Sequence, residues 1–338
     1  MDNNQIVYLP FVETEYFEFA NLYFWPYYDF KNKIGLSDEN REFLDWYLSK
    51  YINEKQESLN ITLLTYSKDE ITGNWDDKEI QKMNDIVGIL NFLSIINNNQ
   101  YSPVSSDNFI LYVKKFKSND ESFSISEGSY ININKYYSGK EITDKILFVK
   151  PNNIPDWGFI KQPWKSEKEL YDGFSKAFIS DYEQEWFTRL LRSLKLCNNS
   201  YSNISNLGIY DRILLLVNAF ESLFEENTQS KNRFSNTILN YIGFSKKYKD
   251  INKIIKSFTK KLYEIRSRYS HGEKLDKKFV HPEYGDLFKV GLFTYSLVIK
   301  SILENKKFIN KMDEEEKIIK DITFGLFAKM ENTKKENK

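Results

Sequence analysis

INKIIKSFTKKLYEIRSRYSHG, residues 251–272, decides the architecture of the second half of the chain. Its apolar residues Ile251, Ile254, Ile255, Phe258, Leu262, Ile265 and Tyr269 recur at i, i+3, i+4, i+7, the spacing of one helical face turned to a core. At about 100° per residue, Lys253, Lys256, Lys260 and Glu264 fall on the opposite, solvent side. Arg266 falls roughly 60° from the centre of the apolar stripe. It borders a packed surface, where an arginine needs a partner or a purpose. His271 is one of only two histidines in the chain. On a continuing helix it would point about 140° away from Arg266, so cooperation between the two requires the chain to leave the helix. Gly272 is placed to provide that exit as a left-handed C-cap. Two readings of His271 stay open here. It is either a proton-handling group held at a helix end or a polar residue before a stop signal. His281, before Pro282, reads as a loop residue.

Outward from this helix, everything after about residue 165 has helical periodicity. Helices are expected over Asp172–Leu196, Gly208–Glu225, Asn232–Ile242, Asp250–Ser270, Tyr284–Asn305 and Asp313–Met330, joined by short polar loops that favour antiparallel neighbours in a bundle. The stretch PNNIPDWGFIKQPW, residues 151–164, carries three prolines, two tryptophans and no period, and reads as an ordered connector. Ahead of it the signals are mixed. An aromatic opening precedes a short helix from Ser37 to Ile52, with Phe43, Leu44, Tyr47, Leu48 and Tyr51 on one side and Ser37 as N-cap. A strand over Ile61–Tyr66 and a helix over Asp76–Ile96 follow. Strand-like runs then occupy residues 109–116 and 145–150, with a hairpin between them around Glu127 and Gly128. The expected fold is α+β overall: a mixed α/β N-terminal domain over residues 1–160, an all-α helical bundle over 165–332 and a disordered tail over 333–338.

The chain has 338 residues, more than a single core commonly serves, which also favours two domains. With 23 Tyr, 26 Phe and 6 Trp it has ample apolar material for packed cores. A lone cysteine, Cys197, can close no internal disulfide and fits a reducing compartment. No apolar run approaches the roughly 18 residues of a membrane span, and MDNNQIVYLP lacks the layout of a signal peptide, so a cytoplasmic protein without membrane attachment is expected. Formal net charge is zero but unevenly spread. Lys231 to Lys278 holds 14 Lys and Arg against 4 Asp and Glu, leaving the remainder ten charges negative. Such a stretch suits a polyanion such as RNA, with a solvated lysine face as the alternative. Lys274 lies within it as an RNA-contact candidate. There is no P-loop, dinucleotide-binding glycine turn, HExxH or GxSxG, and two histidines with one cysteine leave little for zinc. No cofactor or metal is expected, although a carboxylate-only magnesium site stays open.

An Arg, four residues, then His at the end of a helix in a helical domain is the signature of HEPN domains. LYEIRSRYSHGE (262–273) resembles their Apea-type branch, and YDRILLLVNAFESLFEEN (210–227) is similar to the earlier helix of that branch, including the Ala219, Phe220, Glu221 triplet. The likeness covers roughly residues 172–310. It implies a metal-independent endoribonuclease, of the kind used as a toxin or in antiphage defence, acting on RNA (tRNA included) as a homodimer. An antitoxin or an activating phage component is an implied further partner. The family roles fall on Arg266, to stabilise charge on phosphate oxygens, and His271, to handle a proton. Because each domain offers one such histidine, two chains would supply the acid and the base. Ser267 is a supporting residue, for a phosphate or the imidazole. Glu221 is another, orienting Arg266 through an ion pair whose role is either structural or catalytic. Arg268 is either a phosphate contact or solvated. The alternative reading is a non-catalytic HEPN module that binds RNA, nucleotide or a partner protein.

Overall fold

A computed structural model of the chain describes residues 5–31, 38–70, 72–97, 112–115, 148–149, 165–202, 207–224, 230–242, 249–275 and 283–304. The expected hairpin around Glu127 and Gly128, the connector 151–164, the helix 313–330, the tail 333–338 and Ser37 lie outside these residues. The chain is mixed α/β, with an antiparallel sheet in its first half and helices in its second. It divides into two compact units, Met1–Lys168 with Ser202–Ile204, and Glu169–Tyr201 with Ser205–Lys338.

The described elements of the first unit are β1 (Gln5–Glu13), β2 (Phe17–Phe19), β3 (Leu22–Pro26), α1 (Tyr27–Phe30), α2 (Asp38–Leu48), β4 (Tyr51–Ile52), β5 (Ile61–Thr65), α3 (Asp77–Asn97), β6 (Tyr112–Lys115) and β7 (Phe148–Val149). Five strands pair antiparallel in the order β2-β3-β5-β1-β6, and β4 pairs parallel with β7. The strand expected over 61–66 is present as β5. The aromatic opening is a hairpin, β2 to β3, that turns at Ala20 and Asn21, both at positive φ as a tight hairpin turn demands. No strand was expected over Gln5–Glu13, although Ile6, Val7 and Tyr8 are residue types that favour one. Ile6, Val7, Tyr8 and Leu9 are all buried, so the run is apolar on both faces and does not alternate. Pro10 adds a breaker, which the sheet accommodates where the register shifts between Leu9 and Glu13. On one face Ile6, Tyr8, Tyr23, Trp25, Ile61 and Leu63 pack with Leu44, Tyr47 and Leu48 of α2. The Tyr8 and Tyr47 hydroxyls meet there at 2.8 Å. α3 begins at a capping box: the Glu79 N–H donates to Asp76 Oδ1 (2.8 Å) and the Asp76 N–H to Glu79 Oε2 (3.0 Å).

The second unit contains α4 (Lys165–Asp181) from Glu169 onward, α5 (Glu185–Tyr201), α6 (Ile209–Leu223), α7 (Lys231–Ile242), α8 (Lys249–Ser270) and α9 (Glu283–Leu303). One expected helix, Asp172–Leu196, is two. The Gln184 N–H donates to the Asp181 carbonyl at 2.8 Å, and the Gln184 carbonyl then receives the first N–H groups of α5. Phe178, Tyr182 and Phe187 cluster around this corner, so the apolar period runs through the break and conceals it. α6 packs on α5, α8 and α9, and α7 on α8 and α9. Phe220 of α6 lies edge-on to both Phe234 of α7 (5.7 Å) and Tyr295 of α9 (5.1 Å). Inside this core Ser193 donates to the Ala219 carbonyl at 2.6 Å and meets the Tyr295 hydroxyl at 2.5 Å, so its buried oxygen is satisfied.

Candidate functional site

The periodicity of α8 produces most of the burial expected of it, with Ile254, Lys256, Lys260 and Tyr269 half-buried. Ile255, Phe258, Leu262 and Ile265 are buried, and Lys253 and Glu264 are exposed. Arg266 stands at the edge of this face and reaches α6. Its Nη2 donates to Glu221 Oε2 at 2.9 Å, with the two side chains 27% and 22% exposed. The guanidinium also lies 5.7 Å from the centre of the Tyr263 ring. Its Nε is buried and has no hydrogen-bond partner among the described residues. Burial raises the Glu221 carboxyl above its ordinary range, and the Arg266 charge opposes that shift without cancelling it. Burial, and then the Glu221 charge, likewise raise the Tyr263 phenol.

The exit from α8 is a Schellman turn. The Glu273 N–H returns to the Arg268 carbonyl (3.0 Å) and the Gly272 N–H to the Tyr269 carbonyl (3.0 Å), with Gly272 at φ +71°. Gly272 is therefore the C-cap that its position in the sequence announces. The consequence expected for His271 does not follow. The His271 N–H still donates to the Ser267 carbonyl at 3.2 Å, so the helical path continues through His271 and breaks only after it. The Arg266 and His271 side chains consequently leave α8 about 140° apart, and the exit comes too late to swing them together. His271 is exposed, and among the described residues its imidazole has no hydrogen-bond partner. Ser267 lies four residues before it, on the same helical face and partly buried.

Two other basic candidates divide. Arg268 Nε donates to Glu273 Oε2 at 2.8 Å, because the Schellman turn folds Glu273 back beside it. It is held within its own turn rather than simply solvated. Lys274 is exposed just beyond the glycine.

Tyr269, which the periodicity assigns to the apolar stripe, has a polar task that the sequence did not reveal. Its hydroxyl donates to Asp211 Oδ1 at the start of α6 (2.6 Å), and its ring stacks on Tyr210 with centroids 5.6 Å apart. The other Asp211 oxygen accepts the Gly208 N–H at 2.9 Å. Hydrogen bonding to Asp211 is the main reason the Tyr269 phenol is raised. The adjacent Arg212 donates to the Ser200 carbonyl at the end of α5 (3.0 Å). A tyrosine at the polar end of an apolar stripe is the one available signal, since a buried tyrosine ring seeks a partner for its hydroxyl.

Elsewhere in the second unit a groove of about 510 Å³ is lined by Lys176, Asp181, Trp186, Arg189, Tyr241 and Leu303, among others. Among the described residues no group of three or more His, Cys, Asp or Glu side chains is gathered, and no helix is long and apolar enough to cross a membrane. No family model matches the chain, and no curated protein and no solved structure matches it.

Proposed function

We propose that the helical unit is a HEPN-like endoribonuclease domain that works without metal, as a homodimer, in the cytoplasm, in antiphage defence or as a toxin. The observation that carries this reading is the Arg266–Glu221 pair. It ties the arginine of the α8 motif to the glutamate of the α6 motif, the two segments on which the family resemblance rests. The Arg266 side chain is 27% exposed and meets Glu221 through Nη2, which leaves Nη1 to offer a phosphate. In the reaction, the ribose 2′-OH attacks the adjacent phosphorus and gives up its proton to a base. The bond from phosphorus to O5′ breaks and O5′ takes a proton from an acid. The products are a 2′,3′-cyclic phosphate and a 5′-OH end. His271 handles one of these protons and Arg266 stabilises the charge on the non-bridging oxygens. Because Arg266 and His271 diverge around one helix, a second chain is called on to complete the set of groups.

The same divergence, with Arg266 already engaged by Glu221, favours one other reading: a domain that binds RNA through its basic stretch without cutting it. The deciding experiment incubates the full-length protein with total RNA and with tRNA in EDTA, beside His271→Ala and Arg266→Ala, and maps product ends. Cyclic phosphate ends from the wild type and none from either variant are expected. Cleavage that persists in both variants removes Arg266 and His271 from the mechanism. Folded protein that binds RNA but leaves it intact selects the binding module.

A further inference from the structure

Asp211 and Glu221 stand near opposite ends of α6, ten residues or about 15 Å of helix apart. Their partners Tyr269 and Arg266 are only three residues apart on α8. The end of α8 therefore packs on α6, and two carboxylates near opposite ends of that helix hold one face of its last turns. Tyr269 is the outermost point of that grip. Beyond it, Ser270 to Lys274 are exposed, and the hydrogen bonds described for them are local: the Ser270 hydroxyl to the Ser267 carbonyl, the turn bonds of His271, Gly272 and Glu273, and the Arg268 guanidinium to the Glu273 carboxylate. The carbonyl of Tyr269 receives the Gly272 N–H, its ring lies on Tyr210, and its hydroxyl is bound to Asp211. Asp211 cannot swing freely, because its second oxygen holds the Gly208 N–H.

We propose that Tyr269 and Asp211 are positioning residues for the His271–Gly272 exit: their bond fixes the last turn of α8 on α6 and so sets where the imidazole is presented to RNA. This rests on His271 being the reacting group. Arg266, anchored separately by Glu221, keeps its own place when the Tyr269 bond is lost.

The test uses full-length Tyr269→Phe, which keeps the ring and removes only the hydroxyl, together with Asp211→Asn and the double variant. Amide hydrogen exchange at His271 and Gly272 is measured beside Leu262 in the middle of α8, and RNA cleavage is resolved into kcat and KM. The expected result is about tenfold or faster exchange at the exit with Leu262 unchanged, and kcat lower by about ten- to a hundredfold at constant KM. The double variant should be no worse than the poorer single variant, as for two ends of one contact. Unchanged exchange at His271 and Gly272 overturns the proposal, as does faster exchange with unaltered kcat, or losses that multiply in the double variant. Should the wild type cut no RNA, or His271→Ala still cut it, the nuclease reading fails. The exchange measurement then still decides whether this bond holds the exit.

Discussion

Glu221 is the residue at which burial and charge pull in opposite directions. Its carboxyl is raised, so burial outweighs the attraction of Arg266 2.9 Å away. The sign of the pH dependence follows. A carboxyl that holds its proton to higher pH in the folded state than in the unfolded state contributes stability at acid pH, and that contribution is lost as pH rises through the raised value. Glu221→Gln keeps an acceptor for Arg266 and removes the titration. Denaturant unfolding of both proteins, from about pH 4 to about pH 8, should show the wild type losing stability relative to the variant as pH rises. A difference that is flat across this range, or that grows with pH, contradicts the balance described for the pair. Arg268 makes the complementary point. Its partner, Glu273, lies five residues on and comes within 2.8 Å only because Gly272 turns the chain back.

At the scale of elements, α6, α8 and α9 meet at a glycine. A Cβ on Gly291 of α9 would lie 2.7 Å from Leu216 Cδ2 of α6 and 3.2 Å from Leu262 Cδ1 of α8. Both leucines are fully buried, so neither can turn aside into solvent. This close approach holds α9 against the two helices that carry Arg266, Tyr269, Asp211 and Glu221. Gly291→Val gains little helix propensity over glycine, so the overpacking should dominate, at about 2–3 kcal/mol of destabilisation. A lower denaturation midpoint at constant m-value is the expected readout. Leu216→Ala should cost less on top of Gly291→Val than it costs alone, a coupling that would not appear if the valine acted only on its own helix.

For the whole molecule the telling quantity is the distribution of charge, not its sum. A chain of zero net charge carries a surplus of ten positive charges between Lys231 and Lys278, the span from the start of α7 to just past the end of α8. Phosphate contacts made by such a stretch release counterions, so affinity should fall steeply with salt. For tRNA binding by the His271→Ala protein, raising salt from about 50 mM to about 200 mM should weaken binding at least about tenfold. Affinity insensitive to salt would argue for a solvated lysine face and against RNA as the partner.

Local signals determined a large part of this molecule. The 3.6-residue period located α8 with its buried and exposed sides, the Asp76 cap marked the start of α3, and a glycine after the last apolar position foretold the left-handed exit at Gly272. These readings depend on residues within a few turns of one another, where spacing alone sets geometry. The pairing of Glu221 with Arg266, 45 residues apart, was legible only through the likeness of the two segments to one family. Tertiary structure decided the rest. β1 is a strand because β5 and β6 pair with its two edges, and the burial of both its faces erases alternation. The Asp172–Leu196 periodicity hides a corner because aromatic packing continues across it. The bond from Tyr269 to Asp211 joins residues 58 apart in sequence, and only the packing of α8 on α6 brings them together. The hydrogen bond from the His271 N–H to the Ser267 carbonyl keeps His271 on the helical path and leaves the imidazole about 140° around the helix from Arg266.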